Sequence, residues 1–190
     1  MKIPIGITGG LGAGKDTLAD FLIKQVPEMF HKYSFAKPIK DIARTFGFTE
    51  NQLYVLEDKQ RVDDFWEITP REFLQKVGTE LFRDNFRQDV WIKFAEKELR
   101  EHSDKHLLIP DTRFPNEAEF IHKHGGMIIK IVRNTGDYME SRKHVSEDGL
   151  DEDLIDLTVD NNGLMNLLSG VAFEISGFIK QKEMKDGTDA

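Results

Sequence analysis

The residues best placed by type and spacing to do chemistry are Gly9, Gly10, Leu11, Gly12, Ala13, Gly14, Lys15, Asp16 and Thr17. They directly follow the apolar run Ile3 to Thr8 and precede the helix-patterned Leu18-Ala19-Asp20-Phe21-Leu22. A strand, a glycine-rich loop and a helix start in that order form an anion site. Glycines let the backbone wrap an anion without Cβ clashes, successive N–H groups point inward, the helix N-terminus adds positive potential, and Lys15 reaches outer phosphates. The segment therefore reads as a nucleoside triphosphate site lined by Leu11, Gly12, Ala13, Gly14, Lys15, Asp16 and Thr17. Asp16 stands where Ser or Thr normally offers a hydroxyl to magnesium, so a metal there is bound either directly through the carboxylate or through water. Thr17 remains for a phosphate oxygen.

A second concentration of polar chemistry is Pro110-Asp111-Thr112-Arg113-Phe114-Pro115-Asn116-Glu117, after a predicted strand. Ligands of open α/β sheets sit at the carboxyl ends of strands, which makes Asp111 a candidate for magnesium or for orienting an acceptor phosphate, and Arg113 a bidentate anion binder. Asn116 and Glu117 read as first-turn residues of the next helix. Arg71, Gln75, Thr79 and Glu80 recur at helical spacing, either to read a nucleotide from a cleft or as a plain solvated face. Residues 134–149 turn polar and carry Gly136, Gly149, Arg142, Lys143 and His144, the pattern of a lid that closes over phosphates or of a plain surface loop. His31, His102, His106, His122 and His124 show no metal-site spacing and read as surface or interfacial residues. Trp91 and Phe94 read as core.

Five apolar segments must position these groups: Ile3 to Thr8, Lys32 to Phe35, His106 to Pro110, Met127 to Val132 and Ile155 to Val159, with helical patterns between them. That alternation predicts a parallel sheet with right-handed helical crossovers, an α/β fold. Thr69-Pro70-Arg71-Glu72 is a capping box that starts a helix at Pro70, with Phe73, Val77, Leu81 and Phe82 as its core face. Asp89 is placed to cap a helix packing through Val90, Phe94, Ala95 and Leu99, and Gly125-Gly126 ends the helix begun near Pro115.

At 190 residues with 39% hydrophobic residues the chain suffices for one well-buried core rather than two full domains. Zero Cys excludes thiolate catalysis, thiolate metal sites and disulfides. A net charge of −8 argues against a nucleic-acid polymer as partner, and the absence of an apolar run of about 20 residues argues against a membrane span. The start Met1-Lys2-Ile3 lacks a secretory pattern, so a cytoplasmic protein is expected. Residues 180–190 lose apolar periodicity and are expected to fray.

Assembled in order, Gly14-Lys15-Asp16-Thr17-Leu18-Ala19-Asp20-Phe21, Pro38-Ile39-Lys40-Asp41, Leu74-Gln75-Lys76-Val77-Gly78-Thr79-Glu80, Asn85-Phe86, Val90-Trp91-Ile92-Lys93, Ile109-Pro110-Asp111-Thr112-Arg113, Ile131-Val132-Arg133 and His144-Val145-Ser146-Glu147 resemble the bacteriophage-type deoxynucleoside monophosphate kinases. Gly-Lys-Asp-Thr is that family's own version of the phosphate loop. The resemblance implies a three-layer P-loop NTPase fold in one domain, with a helical monophosphate-binding region over about 36–103 and a lid over about 134–149. It also implies ATP with magnesium bridging its outer phosphates, and a deoxynucleoside 5′-monophosphate as acceptor. Lys37, Arg71, Gln75, Thr79, Asp111 and Arg113 would serve the acceptor, Lys15, Arg133, Asp111 and Arg142 the transfer, Asp16 the metal, and Asn161 would lie near adenine. Viral origin would place the protein in the host cytoplasm; a homodimer is left open. The opening loop also resembles that of dephospho-coenzyme A kinase, which follows the Lys with Ser-Thr and lacks the Leu-Gln-x-x-Gly-Thr-Glu segment. A non-enzymatic nucleotide-binding module would share the loop but would not need acceptor-side arginines.

Overall fold

The computed structural model describes residues 2–134, 150–163 and 167–188. Strand β1 (Pro4–Thr8) is buried along its whole length, as a continuous apolar run requires when helices cover both faces of a sheet. It pairs in parallel with β3 (His106–Ile109) on one side and β4 (Met127–Val132) on the other. With β2 (Phe30–Lys32) outside β3 and β5 (Leu157–Asp160) outside β4, the five strands run in the order β2-β3-β1-β4-β5. Connections from β1 and β3 leave in opposite directions along the sheet, so the carboxyl end of β1 is the crevice where a doubly wound sheet binds its ligand.

Alternation along β1 sorts the two faces. Ile5 and Ile7 join Leu18 and Leu22 of α1 (Lys15–Gln25) and Leu168, Ala172, Ile175 and Ile179 of α8 (Leu167–Thr188) in one buried cluster. Gly6 faces the other way, against Ile121 of α7 (Pro115–Lys123), and a Cβ there would lie 2.6 Å from the Ile121 side chain. Helices therefore flank both faces, the expected three-layer α/β arrangement.

The chain forms two compact units, Met1–Ser34 with Glu98–Ala190, and Phe35–Lys97. The second unit holds α2 (Lys37–Thr45), α3 (Glu50–Tyr54), α4 (Leu56–Gln60), α5 (Pro70–Gln75), a π-helix (Lys76–Asp84) and most of α6 (Val90–Glu101). Its core is Ala43, Phe48, Leu53, Phe73 and Val77. The predicted capping box is present: the Thr69 side chain accepts from the N–H of Glu72, and the Glu72 carboxylate accepts from the N–H of Thr69.

Several expectations are corrected. Leu81 is 57% exposed, whereas Phe82 packs against the second unit's core. The cause is the π-helix, whose i→i+5 spacing brings Phe82, five residues after Val77, onto the core face. Phe94 is exposed and stacks over the buried Trp91, whose indole N–H donates to the carbonyl of Gly78. The second strand spans Phe30 to Lys32 rather than Lys32 to Phe35, with Phe30 in register with His106. The fifth begins at Leu157, after a 3-10 turn over Glu152–Leu154. His106 is a core residue, its Nδ1 accepting from the N–H of Ile3.

Candidate active site

The phosphate loop closes on itself between the end of β1 and the start of α1. The N–H of Ala13 donates to Gly10 and that of Leu18 to Gly14, which starts the helix. Gly9 and Gly14 are required as glycines. Each has positive φ, and a Cβ on Gly9 would lie 2.3 Å from the carbonyl oxygen of Ile131. The Lys15 ammonium donates to the carbonyls of Gly9 at 2.7 Å and Gly10 at 2.8 Å, so it lies across the loop rather than out in solvent. Among the other expected loop residues, Leu11, Gly12, Asp16 and Thr17 are exposed and Ala13 is buried.

Asn161 supports this loop from below. It is buried at the end of β5, and its Nδ2 donates to the carbonyl of Ala13 at 2.8 Å. The same nitrogen is 2.8 Å from where a Cβ on Gly14 would be. The structure thus gives the Asn161 amide a partner in the loop backbone.

Asp16 is highly exposed in the first turn of α1, with its carboxylate 3.0 Å from Lys32 on β2. Lys32 also bonds Asp20, one turn along α1, at 2.8 Å. Burial alone would lower the Lys32 ammonium, but hydrogen bonds to Asp20 and then Asp16 outweigh it and hold the group above its ordinary value. Asp16 and Asp20 at i,i+4 announce a shared helix face in the sequence; their partner, 12 residues beyond Asp20, carries no such signal.

At the carboxyl end of β3, Asp111 is half-buried and accepts from the Ser34 hydroxyl at 2.6 Å, a contact absent from the sequence reading. Thr112 is fully buried and bonds back to Ile109. Glu117 is 2% exposed, its carboxylate accepting from the N–H groups of Arg113 and Phe114 and capping α7. That bond fixes the backbone of Arg113, whose side chain is exposed. Arg133 is exposed just beyond β4, where the N–H of Asn134 donates to Asn162.

In the second unit, Lys37 is exposed and ion-paired with Asp41 at 3.0 Å, while Arg71, Gln75 and Thr79 are half-buried. Gln75 ends α5 and Thr79 lies in the π-helix, so the expected uniform α-helical face changes pitch between them. Residues 135–149, including Arg142, Lys143 and His144, lie outside the described residues.

A deoxynucleotide monophosphate kinase family model matches residues 45–171, more than half of the chain. The chain belongs to that family. A protein of Acanthamoeba polyphaga mimivirus named as a deoxynucleotide monophosphate kinase is 37% identical over 143 residues, covering 68% of this chain and 73% of its own length. The deoxynucleoside-5′-monophosphate kinase of Escherichia phage T5 is 25% identical over 214 residues, 79% of this chain and 86% of its own. Among solved structures, a dephospho-CoA kinase from Campylobacter jejuni matches with a TM-score of 0.57 at 13% identity, covering 96% of this chain and 100% of that one. Identity at that level shows a shared kinase fold and no more. The enzyme is thus a deoxynucleoside monophosphate kinase acting on a small-molecule nucleotide.

Proposed function

We propose that the enzyme transfers the γ-phosphoryl group of ATP in line to a deoxynucleoside 5′-monophosphate, giving ADP and the deoxynucleoside diphosphate. The observation that carries this reading is the loop itself, with Lys15 held across it and Gly9 and Gly14 in the positive-φ conformations that let a glycine loop wrap an anion. An oxygen of the acceptor phosphate attacks the γ-phosphorus as the bond to the β,γ-bridging oxygen breaks, and the electron pair leaves on ADP. A phosphate monoester is largely dianionic at neutral pH, its second pKa being about 6, so the attacking oxygen needs no general base. Asp111 then acts by position, held by Ser34.

Lys15 and the loop N–H groups stabilise charge that develops on the transferred group and the leaving oxygen. Arg113, its backbone fixed by Glu117, is assigned to the acceptor phosphate, with Lys37, Arg71, Gln75 and Thr79 of the second unit assigned to the same ligand and Arg133 to the transferred group. Magnesium fits the donor set in one respect: Asp16 is an exposed carboxylate beside the loop, and its pairing with Lys32 is a surface ion pair worth about 0–1 kcal/mol, cheap to rearrange. The metal would neutralise the outer phosphates when bound there.

A coupled assay with each deoxynucleoside monophosphate tests the reading. Lys15→Met should lower turnover by roughly 100-fold or more with an unchanged melting temperature, as losing one positioned charge typically does. Arg113→Ala should weaken monophosphate binding and leave ATP binding nearly unchanged in calorimetry. ATP hydrolysis without any deoxynucleotide acceptor would overturn the proposal.

A further inference from the structure

Away from the phosphate loop, the fold gathers three side chains that the chain keeps far apart. His31 is the central residue of β2, and Glu98 and His102 stand one turn apart near the end of α6. His31 Nε2 is 3.2 Å from Glu98 Oε2, and His102 Nε2 is 3.7 Å from the same oxygen. The two imidazoles stack at 3.6 Å with their planes 24° apart. One nitrogen from each ring and the carboxylate oxygen all lie within 4.8 Å of one another, the one such group among the described residues. Reading His31 and His102 from the sequence as surface or interfacial residues did not bring them together. Glu98 and His102 at i,i+4 were the signal in the sequence; the missing ligand lay 67 residues upstream.

We infer that His31, Glu98 and His102 form a binding site for a divalent transition-metal ion of the zinc type. Bonds of about 2.0–2.2 Å to a tetrahedral zinc put ligand atoms about 3.3 Å apart, close to the 3.2 and 3.7 Å found between the imidazole nitrogens and the shared oxygen. A simple histidine–carboxylate pair accounts for His31 alone, because 3.7 Å from His102 is too long for a hydrogen bond. Two imidazoles and one carboxylate select zinc, cobalt or nickel over magnesium, which prefers an all-oxygen octahedron. Glu98 lies in the last turn of α6, His102 just past its end with its N–H bonded to the Glu98 carbonyl, and His31 on a paired strand, so the backbone holds them before the ion arrives. The side chains are about one fifth to two fifths exposed, which leaves a fourth position for water or a ligand. The bound ion would clamp the last turn of α6 to the edge strand.

Zinc titration of the full chain by calorimetry, with excess magnesium and no nucleotide, tests the site. One equivalent of Zn2+ should bind, Co2+ should give tetrahedral absorption bands at the same stoichiometry, and Zn2+ should raise the melting temperature. His31→Ala and His102→Ala should each weaken Zn2+ binding by about 100-fold, one ligand's share of the total seen at structural zinc sites, and abolish the thermal shift. His31→Asn and His102→Asn, closer in shape and polarity, should show the same loss, which separates ligand removal from misfolding. His122→Ala, which disrupts an imidazole paired with Asp156, should leave binding intact. Failure of the wild-type chain to bind Zn2+ stoichiometrically, or equal affinity in the His31 and His102 variants, would overturn the site. Neither result bears on the kinase activity.

Discussion

Asn161 shows how one side chain can hold the phosphate loop from a strand far away in the chain. The family resemblance implies a place near adenine, and its amide nitrogen donates to the carbonyl of Ala13, 148 residues earlier in the chain. Nothing in the local sequence could reveal that pairing, because β5 and the phosphate loop meet only through the sheet. Asn161→Ala leaves a buried loop carbonyl without this donor, which should cost about 1–3 kcal/mol of stability and raise the ATP Michaelis constant more than that of the acceptor. Asn161→Asp should be at least as harmful, since a carboxylate cannot donate to Ala13 and would repel it. Thermal melts with steady-state kinetics check both, and a variant with wild-type ATP affinity would mean that the loop holds its shape unaided. By contrast, the loop formed by Gly9, Gly14 and Lys15 between β1 and α1 was legible in the sequence, because a local loop is specified by residues that are neighbours in the chain.

At the scale of elements, α5 and the π-helix that follows it set the limit of periodicity as a guide. The capping box at Thr69 and Glu72 was legible because a cap is a four-residue device, and Phe73 and Val77 are buried as a 3.6-residue period requires. The period then fails at Leu81. A π-turn leaves no mark in composition; it is retained here where Trp91 donates to the carbonyl of Gly78 and Ile39 packs close to the glycine. Leu81→Ala should therefore change stability by less than about 0.5 kcal/mol, the usual range at exposed sites. Phe82→Ala should cost about 2 kcal/mol, below the 3–5 of a fully buried Phe because Phe82 is only half-buried beside Trp91. An α-helical register would reverse that order in denaturant melts.

Across the whole molecule, the parallel α/β sheet could be read from five apolar runs alternating with helices, while no Gly- or Pro-rich linker marks the division at Phe35 and Lys97, and only the family resemblance implied a separate region there, over about 36–103. The two units also differ in what holds them. The sheet of the first is organised around β1 and an apolar cluster running from Ile5 to Ile179, a source of stability that does not titrate. The second relies more on charged caps and surface pairs. Backbone N–H donation from Trp66 and hydrogen bonding from Gln52 hold Asp63 below the usual carboxylate range; Thr69 does so for Glu72, Arg44 for Glu50 and Arg87 for Asp89. A carboxylate whose folded pKa lies below its unfolded value contributes stability that is fully present above the unfolded value, near pH 4, and is lost as pH falls through the folded value. Acidification below about pH 4 should therefore loosen residues 35–97 before the sheet. Hydrogen exchange on the intact chain should show the amides of α3 and α5 losing protection at a higher pH than those of β1 and β4. Simultaneous loss in both sets would show instead that the two units unfold as one cooperative block and that these four carboxylates do not set the acid limit.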